Sequence, residues 1–254
     1  MGKRLIALAL EDGRFDIAGA FEASDSPSIG MDCGLLAGVG EIGIPISNDG
    51  CGFDVLLDFS SPEGAAKSLE VALDQRANLV VGTTGLSPEF IDRLRLASES
   101  IGVFQASNFS YGIAATASVV AHLAKTLEGS DIEIEEMHHR NKIDAPSGTA
   151  LDLAAIAARA RGEDLQRVAV FGRHGKTGPR RDSEIGIHSL RGGGVIGEHR
   201  VIFSTPFETV TIEHRAISRD VFISGALEAS AFIFKKIGFF GMQDLISAKG
   251  AKYA

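Results

Sequence analysis

Short, mostly apolar runs that alternate with helical segments constrain the fold of this chain more than any other feature of its sequence. Asp54–Phe59 (D-V-L-L-D-F), Asn78–Gly82 (N-L-V-V-G) and Gly102–Ala106 are each predicted to be a strand buried on both faces. Helical patterns at Pro62–Leu73 and Ser87–Ala97 separate these strands. Strands and helices that alternate in this way predict a parallel, doubly wound sheet, whose loops after the strand carboxyl ends form one ligand-binding rim.

Helices and one short strand are predicted on either side of this alternating region. A helix is expected at Lys3–Leu10 and a strand at Asp16–Phe21. A long helical pattern runs from about Tyr111 to Leu127, and another covers Arg219–Lys236. We expect the last of these helices to return to the parallel sheet.

The pattern changes after about residue 130. Asp131–Met137 (D-I-E-I-E-E-M) alternates acidic and apolar residues, which is typical of a half-exposed strand in a mixed or antiparallel sheet. Three more strands are predicted at Ser183–Leu190, Gly194–Ser204 and Glu208–Ala216, with one helix at Gly148–Arg161. These elements predict a second, α+β domain on an open mixed sheet, whose exposed face favours a homo-oligomer.

The length of 254 residues suits two domains. We expect a dinucleotide-binding domain formed by residues 1–108 and 220–254. Residues 109–219 are expected to form the domain that binds substrate and makes the oligomer.

Charge and hydropathy argue against two classes of partner. The formal net charge is -8 and no long basic run is present, so nucleic acid is not expected. The longest apolar stretch, Val221–Phe234, contains Glu228 and is too short to span a membrane. The apolar run after Lys3 and Arg4 stops at Glu11 without a cleavage site, so a cytoplasmic location is predicted.

Basic side chains and a helix start are concentrated in E-E-M-H-H-R-N-K-I-D-A-P-S-G-T-A, residues 135–150. A histidine can exchange a proton near neutral pH, and Lys142 adds a point charge. Ser147 can cap the following helix, whose first backbone N–H groups attract an anion. A structural histidine and an ordinary helix cap remain alternatives for each feature alone. Adjacent histidines on a strand face opposite ways and no H-E-x-x-H motif is present, so no metal site is expected.

This segment closely resembles the signature of the dihydrodipicolinate reductase family. Three other motifs resemble loops of the same family in the same order: G-T-T-G at residues 82–85, A-S-N-F-S at residues 106–110, and R-G-G-G-V-I-G-E-H at residues 191–199. The resemblance therefore covers essentially the whole chain.

The resemblance implies that NADH or NADPH gives a hydride to a dicarboxylic heterocycle made from aspartate semialdehyde and pyruvate. The implied product is tetrahydrodipicolinate, a precursor of diaminopimelate and lysine, and the implied assembly is a homotetramer. It implies that His138 is the general acid/base and Lys142 the proton donor. It assigns the substrate carboxylates to His139, Gly148 and Thr149.

The resemblance also assigns residues to the nicotinamide cofactor. The implied cofactor-binding residues are Gly82, Thr83, Thr84, Ala106, Ser107, Asn108 and Phe109. Glu22, at the end of the second strand of a nucleotide-binding unit, is expected to accept hydrogen bonds from the adenosine ribose. Ala23 and Ser24 follow it, where relatives that also use NADPH often have arginine, so NADH is favoured. Without the resemblance, a solvated loop acid and an ordinary turn remain alternatives for Glu22 and for G-T-T-G.

The sequence departs from the family pattern at its start. The family begins with an apolar strand and a glycine-rich loop, and Met1–Leu5 matches only the end of that loop. We expect the strand between those at Ile17 and Val55 to be missing, through a misassigned start, which we favour, or a true truncation. A catalytically impaired truncated homologue and a related imine reductase therefore remain alternative functions.

Overall fold

The computed structural model describes residues 1–50 and 52–250, which fold into two compact units. One unit contains Met1–Phe109 and the segment from Asp220 onward, and the other is Ser110–Arg219. A parallel sheet lies in the first unit and a five-stranded mixed sheet in the second. The predicted fold class, a doubly wound Rossmann-type unit and an α+β unit with an open mixed sheet, is confirmed.

In chain order the elements are α1 (Gly2–Asp12), β1 (Ala20–Phe21), α2 (Cys33–Ala37), β2 (Ile46–Ser47), β3 (Val55–Asp58), α3 (Pro62–Gln75), β4 (Asn78–Val81), α4 (Pro88–Ala97), β5 (Gly102–Gln105), α5 (Tyr111–Thr126), β6 (Asp131–His138), α6 (Gly148–Ala160), α7 (Leu165–Val168), β7 (Ala169–Phe171), β8 (Ile185–Arg191), β9 (Glu198–Ser204), β10 (Thr209–Arg215), α8 (Asp220–Ile233), β11 (Gly238–Phe240) and α9 (Met242–Gly250).

Four parallel strands in the order β11-β5-β4-β3 form the main sheet of the first unit. Leu79 and Val103 lie on the face covered by α3 and α4, where they join the core that contains Leu69 and Leu94. On the other face the ring of Phe104 meets that of Phe232 in α8, with centroids 6.3 Å apart. Because helices cover both faces, the strands are buried on both sides, as their apolar runs predict.

The strand predicted at Asp16–Phe21 is wrong in length. Only Ala20–Phe21 is a strand, and it pairs with β2 rather than with β3. Phe15 and Ile17 instead pack against a small core between α1 and α8. Their apolar character therefore reflects contact with helices. Within the described residues, the β1–β2 pair forms a two-stranded sheet separate from the four-stranded sheet that contains β3.

The mixed sheet of the second unit has the order β10-β9-β6-β8-β7. β9 is antiparallel to both β10 and β6, whereas β8 is parallel to β6 and β7. Helices α5 and α6 pack on one face, around a core that includes Ile132, Ile134, Leu153 and Phe203. Alternate residues of β9 and β10 remain partly or fully exposed on the other face, as expected for an open sheet.

Serine caps begin four of the long helices. Ser61, Ser87, Ser110 and Ser147 each accept a hydrogen bond from the backbone N–H three residues later. The predicted caps at Ser87 and Ser147 are confirmed. A cap fixes where a helix begins, so the backbone donors of its first turn face a defined direction.

Helix α8 accounts for the longest apolar stretch of the sequence, and it is buried within the first unit. Ile223, Leu227 and Ile233 are almost fully buried. In the part of the chain that the structure describes, no helix is long and apolar enough to cross a membrane. Gly225 lets α8 approach the backbone closely, because a Cβ at this position would lie 1.8 Å from the carbonyl oxygen of Phe109.

Gly225→Ala should therefore lower the free energy of unfolding by about 1–3 kcal/mol, the usual effect of overpacking. Ser224→Ala is the matched control, since Ser224 is exposed on the same helix and its loss should cost less than about 0.5 kcal/mol. Urea unfolding of both variants measures the difference. Equal midpoints for the two variants would contradict the close approach of α8 to Phe109.

Candidate active site

A buried acid interrupts the apolar face of β6. Ile132, Ile134, Glu136 and His138 share the face that α5 and α6 cover, because side chains alternate along a strand. Glu136 is only 1% exposed. Period-two alternation places Glu136 in phase with Ile132 and Ile134, so this acid lies on the covered face while Asp131 lies on the exposed side.

The register of the sheet places two more polar side chains beside these. Glu136 lies opposite His199 of β9, and His138 lies opposite Arg191 of β8. Residues directly opposite each other in a sheet project from the same face. The rings of His138 and His199 meet edge to face with centroids 5.3 Å apart. The carboxyl end of β6 thus gathers an acid, a guanidinium and two imidazoles.

The carboxylate of Glu136 is saturated with hydrogen bonds. Its oxygens accept from the two terminal nitrogens of Arg191, each at 2.9 Å. They also accept from Nδ1 of His138 at 2.6 Å and from the backbone N–H of Ser147 at 3.1 Å. Burial alone raises the pKa of Glu136, but the hydrogen bonds from Arg191, His138 and Ser189 outweigh it and lower the pKa below its ordinary value. The carboxyl group is therefore ionised at neutral pH.

The other ring nitrogen of His138 lies beside Gly197. A Cβ on Gly197 would lie 3.1 Å from Nε2 of His138. The side chain of His138 is 12% exposed, so the ring is mostly, but not completely, enclosed.

The amino end of α6 adjoins the same cluster. Ser147 is buried, and its Oγ accepts from the N–H of Ala150 at 3.2 Å while its own N–H donates to Glu136. Gly148 is exposed, with no atom within 4 Å of the position that a Cβ would take. Thr149 is half-buried in the same turn. An anion can therefore approach the positive end of this helix beside Gly148.

Lys142 is tied to the cluster through Asp144. The ammonium group of Lys142 donates to both carboxylate oxygens of Asp144 at 2.9 Å, and this bond lowers the pKa of Asp144. The backbone oxygen of Asp144 accepts from Arg191 at 2.6 Å. His139 is half-buried, and its carbonyl oxygen accepts from the N–H of Lys142 at 3.1 Å. The structure thus brings the predicted residues of this segment together around Glu136 and Arg191.

His199 is a member of the cluster to which the sequence alone assigned no role. It is 4% exposed, and its Nε2 lies 3.1 Å from Oγ of Ser147. Burial, reinforced by repulsion from His138 whenever that ring is protonated, lowers the pKa of His199 to about 4, so the ring of His199 is neutral at pH 7. Its Nδ1 has no hydrogen-bond partner within the described residues. The alternating pattern of β9 places His199 on the buried face, and this position is the feature of the sequence that could have indicated it.

The predicted cofactor residues of the first unit lie at the carboxyl ends of its parallel strands. The buried carboxylate of Asp58, at the end of β3, accepts from the hydroxyls of Ser60 (2.9 Å), Ser68 (2.7 Å) and Thr83. Thr83 also accepts from the N–H of Ser60 at 2.9 Å. The side chain of Thr83 is therefore used to hold two neighbouring loops together.

Other residues of this rim are also used in packing. Phe109 is 2% exposed, and its ring packs 5.3 Å from that of Phe59 and 5.8 Å from that of Phe104. A Cβ on Gly82 would lie 2.1 Å from the ring of Phe59, so a larger residue would displace that ring. Any contact of Phe109 with a cofactor must use its backbone, because its side chain is buried.

The rim nevertheless retains groups that fit a dinucleotide. Thr84 and Ser107 are exposed and Asn108 is half-buried, while Ala106 is buried at the end of β5. Glu22 is exposed directly after β1, where its N–H donates to the carbonyl oxygen of Ser47 at 3.0 Å. Exposed hydroxyl, amide and carboxylate groups at the strand ends are suitable partners for phosphate and ribose.

Family models match both parts of the chain. Residues 1–109 match the model described as dihydrodipicolinate reductase, N-terminus, and residues 112–246 match dihydrodipicolinate reductase, C-terminus. The chain is 40% identical over 251 residues to a 4-hydroxy-tetrahydrodipicolinate reductase of Neisseria gonorrhoeae, covering 97% of this chain and 93% of the relative. It is also 40% identical over 257 residues to the enzyme of the same name from Trichlorobacter lovleyi, covering 98% and 96%.

Solved structures share the fold. A dipicolinate-bound dihydrodipicolinate reductase from Paenisporosarcina sp. TG-14 matches with a TM-score of 0.74 and 22% identity, over 96% of this chain and 94% of that one. An amine dehydrogenase from Mycobacterium smegmatis matches with a TM-score of 0.57 and 12% identity, over 96% and 92%. At these identities the two structures support the architecture alone.

The buried, neutral state of His199 predicts a pH dependence of stability. The folded pKa of about 4 lies below the ordinary value of 6.5, so the stabilisation is complete above pH 6.5 and is lost as the pH falls toward 4. Between pH 7 and pH 5 the protein should lose roughly 2 kcal/mol through this residue. Urea unfolding at the two pH values measures this change. The loss of stability between pH 7 and pH 5 should be smaller in His199→Gln than in the unsubstituted protein, by about the amount given above.

His122→Gln is the matched control, because His122 is exposed on α5 of the same unit. The stability of this control should depend on pH in the same way as that of the unsubstituted protein. If His199→Gln and the unsubstituted protein lost the same stability between pH 7 and pH 5, His199 would not be the buried neutral group described above.

Proposed function

The chain belongs to the dihydrodipicolinate reductase family, and from that membership we propose that it reduces 4-hydroxy-tetrahydrodipicolinate to tetrahydrodipicolinate with NADH or NADPH. This reaction serves diaminopimelate and lysine biosynthesis. One structural observation carries the proposal: His138, Lys142 and the amino end of α6 lie in a single hydrogen-bonded cluster. Such a cluster supplies both acid–base groups and an anion site.

Proton transfer is the chemistry that the protein itself provides. When bound, the reduced nicotinamide supplies a hydride. Loss of the 4-hydroxyl and a neighbouring ring hydrogen as water gives the conjugated ring. Hydride addition to that ring leaves an electron pair that a proton must join, and the ammonium of Lys142 is the proposed donor. His138 acts as the general acid/base. Asp144 holds the ammonium of Lys142 at the site until a substrate carboxylate, which has the same charge and geometry, replaces it as partner.

The two carboxylates of the substrate require cations and backbone donors. Gly148 and Thr149 lie in the first turn of α6, where N–H groups and the helix dipole favour a negative charge. The open space beside Gly148 gives a carboxylate access to this turn. His139, whose carbonyl oxygen accepts from the N–H of Lys142, adds a half-buried imidazole in the same turn. We assign these three residues to substrate binding.

The two units take separate roles in this proposal. Residues 1–108 and 220–254 bind the dinucleotide through Glu22 and through the loops that contain Gly82, Thr84, Ser107 and Asn108. Three residues of these loops are buried: Thr83, Ala106 and Phe109. They therefore support the loops by packing or contribute backbone groups to the dinucleotide site. Residues 109–219 bind the substrate. They also form a homotetramer through the open face of the mixed sheet, in the cytoplasm.

Loss of either proton-transfer group should abolish most of the activity. His138→Gln and Lys142→Ala should each lower kcat by roughly 10²–10⁴-fold in an NADH-oxidation assay, because a positioned acid or base contributes on that scale. The substrate is generated in the assay from aspartate semialdehyde and pyruvate by the preceding synthase.

Matched controls lie on α5 of the same unit. His122→Gln and Lys125→Ala make the same chemical changes at exposed positions and should leave kcat unchanged. Turnover in the active-site variants equal to that of these controls would refute the assigned roles. If the unsubstituted chain reduced other imines but not this substrate, the proposed reaction would be wrong while the site remained.

We further propose that the protein prefers NADH. The exposed carboxylate of Glu22 can accept hydrogen bonds from ribose hydroxyls and repels a 2′-phosphate, and no arginine follows it. The ratio of kcat/KM for NADH to that for NADPH should therefore exceed one. In Glu22→Gln the ratio should fall toward one, whereas Glu99→Gln, at an exposed position in the same unit, should not change it. A clear preference for NADPH would contradict the proposal.

A further inference from the structure

We propose that Glu136 is the positioning residue of this site: its carboxylate fixes the ring of His138 with a proton on Nδ1 and leaves Nε2 to exchange a proton with the substrate. The inference rests on the proposed function, which makes His138 the general acid/base, and adds the residue that orients it. Glu136 itself does not touch the substrate in this account, because its side chain has no exposed surface.

The hydrogen-bond inventory determines the tautomer of His138. An ionised carboxylate can only accept hydrogen bonds, so the 2.6 Å contact between Glu136 and Nδ1 of His138 requires the proton to be on Nδ1. The neutral ring then has an unprotonated Nε2. When Nε2 gains a proton, the resulting imidazolium remains paired with the carboxylate through the same short bond.

The surroundings of the two ring nitrogens differ in the way this role requires. Nδ1 points to a fully buried acid, where water cannot compete for the hydrogen bond. Nε2 points toward Gly197, where a Cβ would lie at 3.1 Å. Nε2 is thus the ring nitrogen that Glu136 does not engage, on a side chain that is 12% exposed.

The same carboxylate also anchors the proposed carboxylate site. One oxygen of Glu136 accepts from the backbone N–H of Ser147, the residue that caps α6. The other oxygen accepts from His138. The acid–base group and the first turn of α6 are therefore held to opposite ends of one rigid, planar group, which fixes their spacing.

Arg191 neutralises the buried charge of Glu136, so a substitution of Glu136 also affects Arg191. Its two terminal nitrogens donate to the carboxylate at 2.9 Å, so removing the charge of Glu136 alone leaves a largely buried guanidinium without a counter-charge. Breaking a buried pair on one side is strongly destabilising, whereas replacing both partners with neutral groups is often tolerated. Glu136→Gln must therefore be compared with the double variant Glu136→Gln/Arg191→Met.

The experiment measures kcat, KM and the ring-nitrogen NMR signals of His138 in four proteins: the unsubstituted chain, Glu136→Gln, the double variant and Glu135→Gln. Glu135 is the matched control, because it lies on the same strand, pairs with Arg200 at 2.9 Å and is half-exposed. We expect kcat to fall by about 10²-fold in both Glu136 variants. We expect KM to change less, since the amide oxygen that Glu136→Gln introduces can still accept from the N–H of Ser147.

Stability and activity should separate in the double variant. Its urea midpoint should return toward that of the unsubstituted protein while kcat stays low, because the carboxylate that orients His138 is still missing. The NMR signals should show the Nδ1–H tautomer in the unsubstituted protein and in Glu135→Gln, and a mixture of tautomers in both Glu136 variants. Recovery of kcat together with stability would show that Glu136 is only structural and would overturn the proposal.

The NMR measurement distinguishes this inference from the proposed function, because it needs no substrate. An Nε2–H tautomer of neutral His138 in the unsubstituted protein would overturn the positioning role even if the enzyme were active. Absence of turnover in the unsubstituted protein, with the Nδ1–H tautomer present, would refute the proposed reaction and leave the orientation of His138 by Glu136 supported.

Discussion

Transfer of an ionised carboxylate from water into a protein core is costly unless hydrogen bonds replace its hydration, and this requirement organises the second unit. Glu136 obtains its donors from Arg191, from His138 and from the backbone of Ser147. These donors come from a neighbouring strand, from the end of the same strand and from the start of a helix. Satisfying one buried charge therefore brings three separate segments of the chain to one point.

The parts of the site differ in rigidity. The register of β6 with β8 and β9 fixes Arg191 and His199 beside His138, and pairing between the strands limits the freedom of these side chains. Lys142 lies instead in the turn after β6 and is bonded to the exposed Asp144. The proposed acid–base group is thus held in place, whereas the proposed proton donor can change partners when an anionic substrate arrives.

The sequence predicts the elements whose pattern is local. The short buried strands of the first unit and the serine-capped helices are found where apolar runs and caps indicate them. Five short elements (α2, β2, α7, β7 and β11) and the last described helix α9 were missed. The short strands among them depend on partners distant in the chain. For the same reason, the predicted strand at Asp16–Phe21 is reduced to two residues.

Within the site, the resemblance to a known family indicated His138 and Lys142, but the roles of Glu136, Arg191 and His199 follow from strand register. Burial, which the sequence did not reveal, also limits what the side chains of Thr83 and Phe109 can contact.

A crystal structure of the protein with dipicolinate, a planar dicarboxylate, would test the central claim most directly. The account predicts that one carboxylate of the ligand binds at the first turn of α6 beside Gly148, with the ring within reach of Nε2 of His138. It also predicts that Nδ1 of His138 keeps its hydrogen bond to Glu136. A ligand bound away from α6, or a His138 ring turned away from Glu136, would contradict the account.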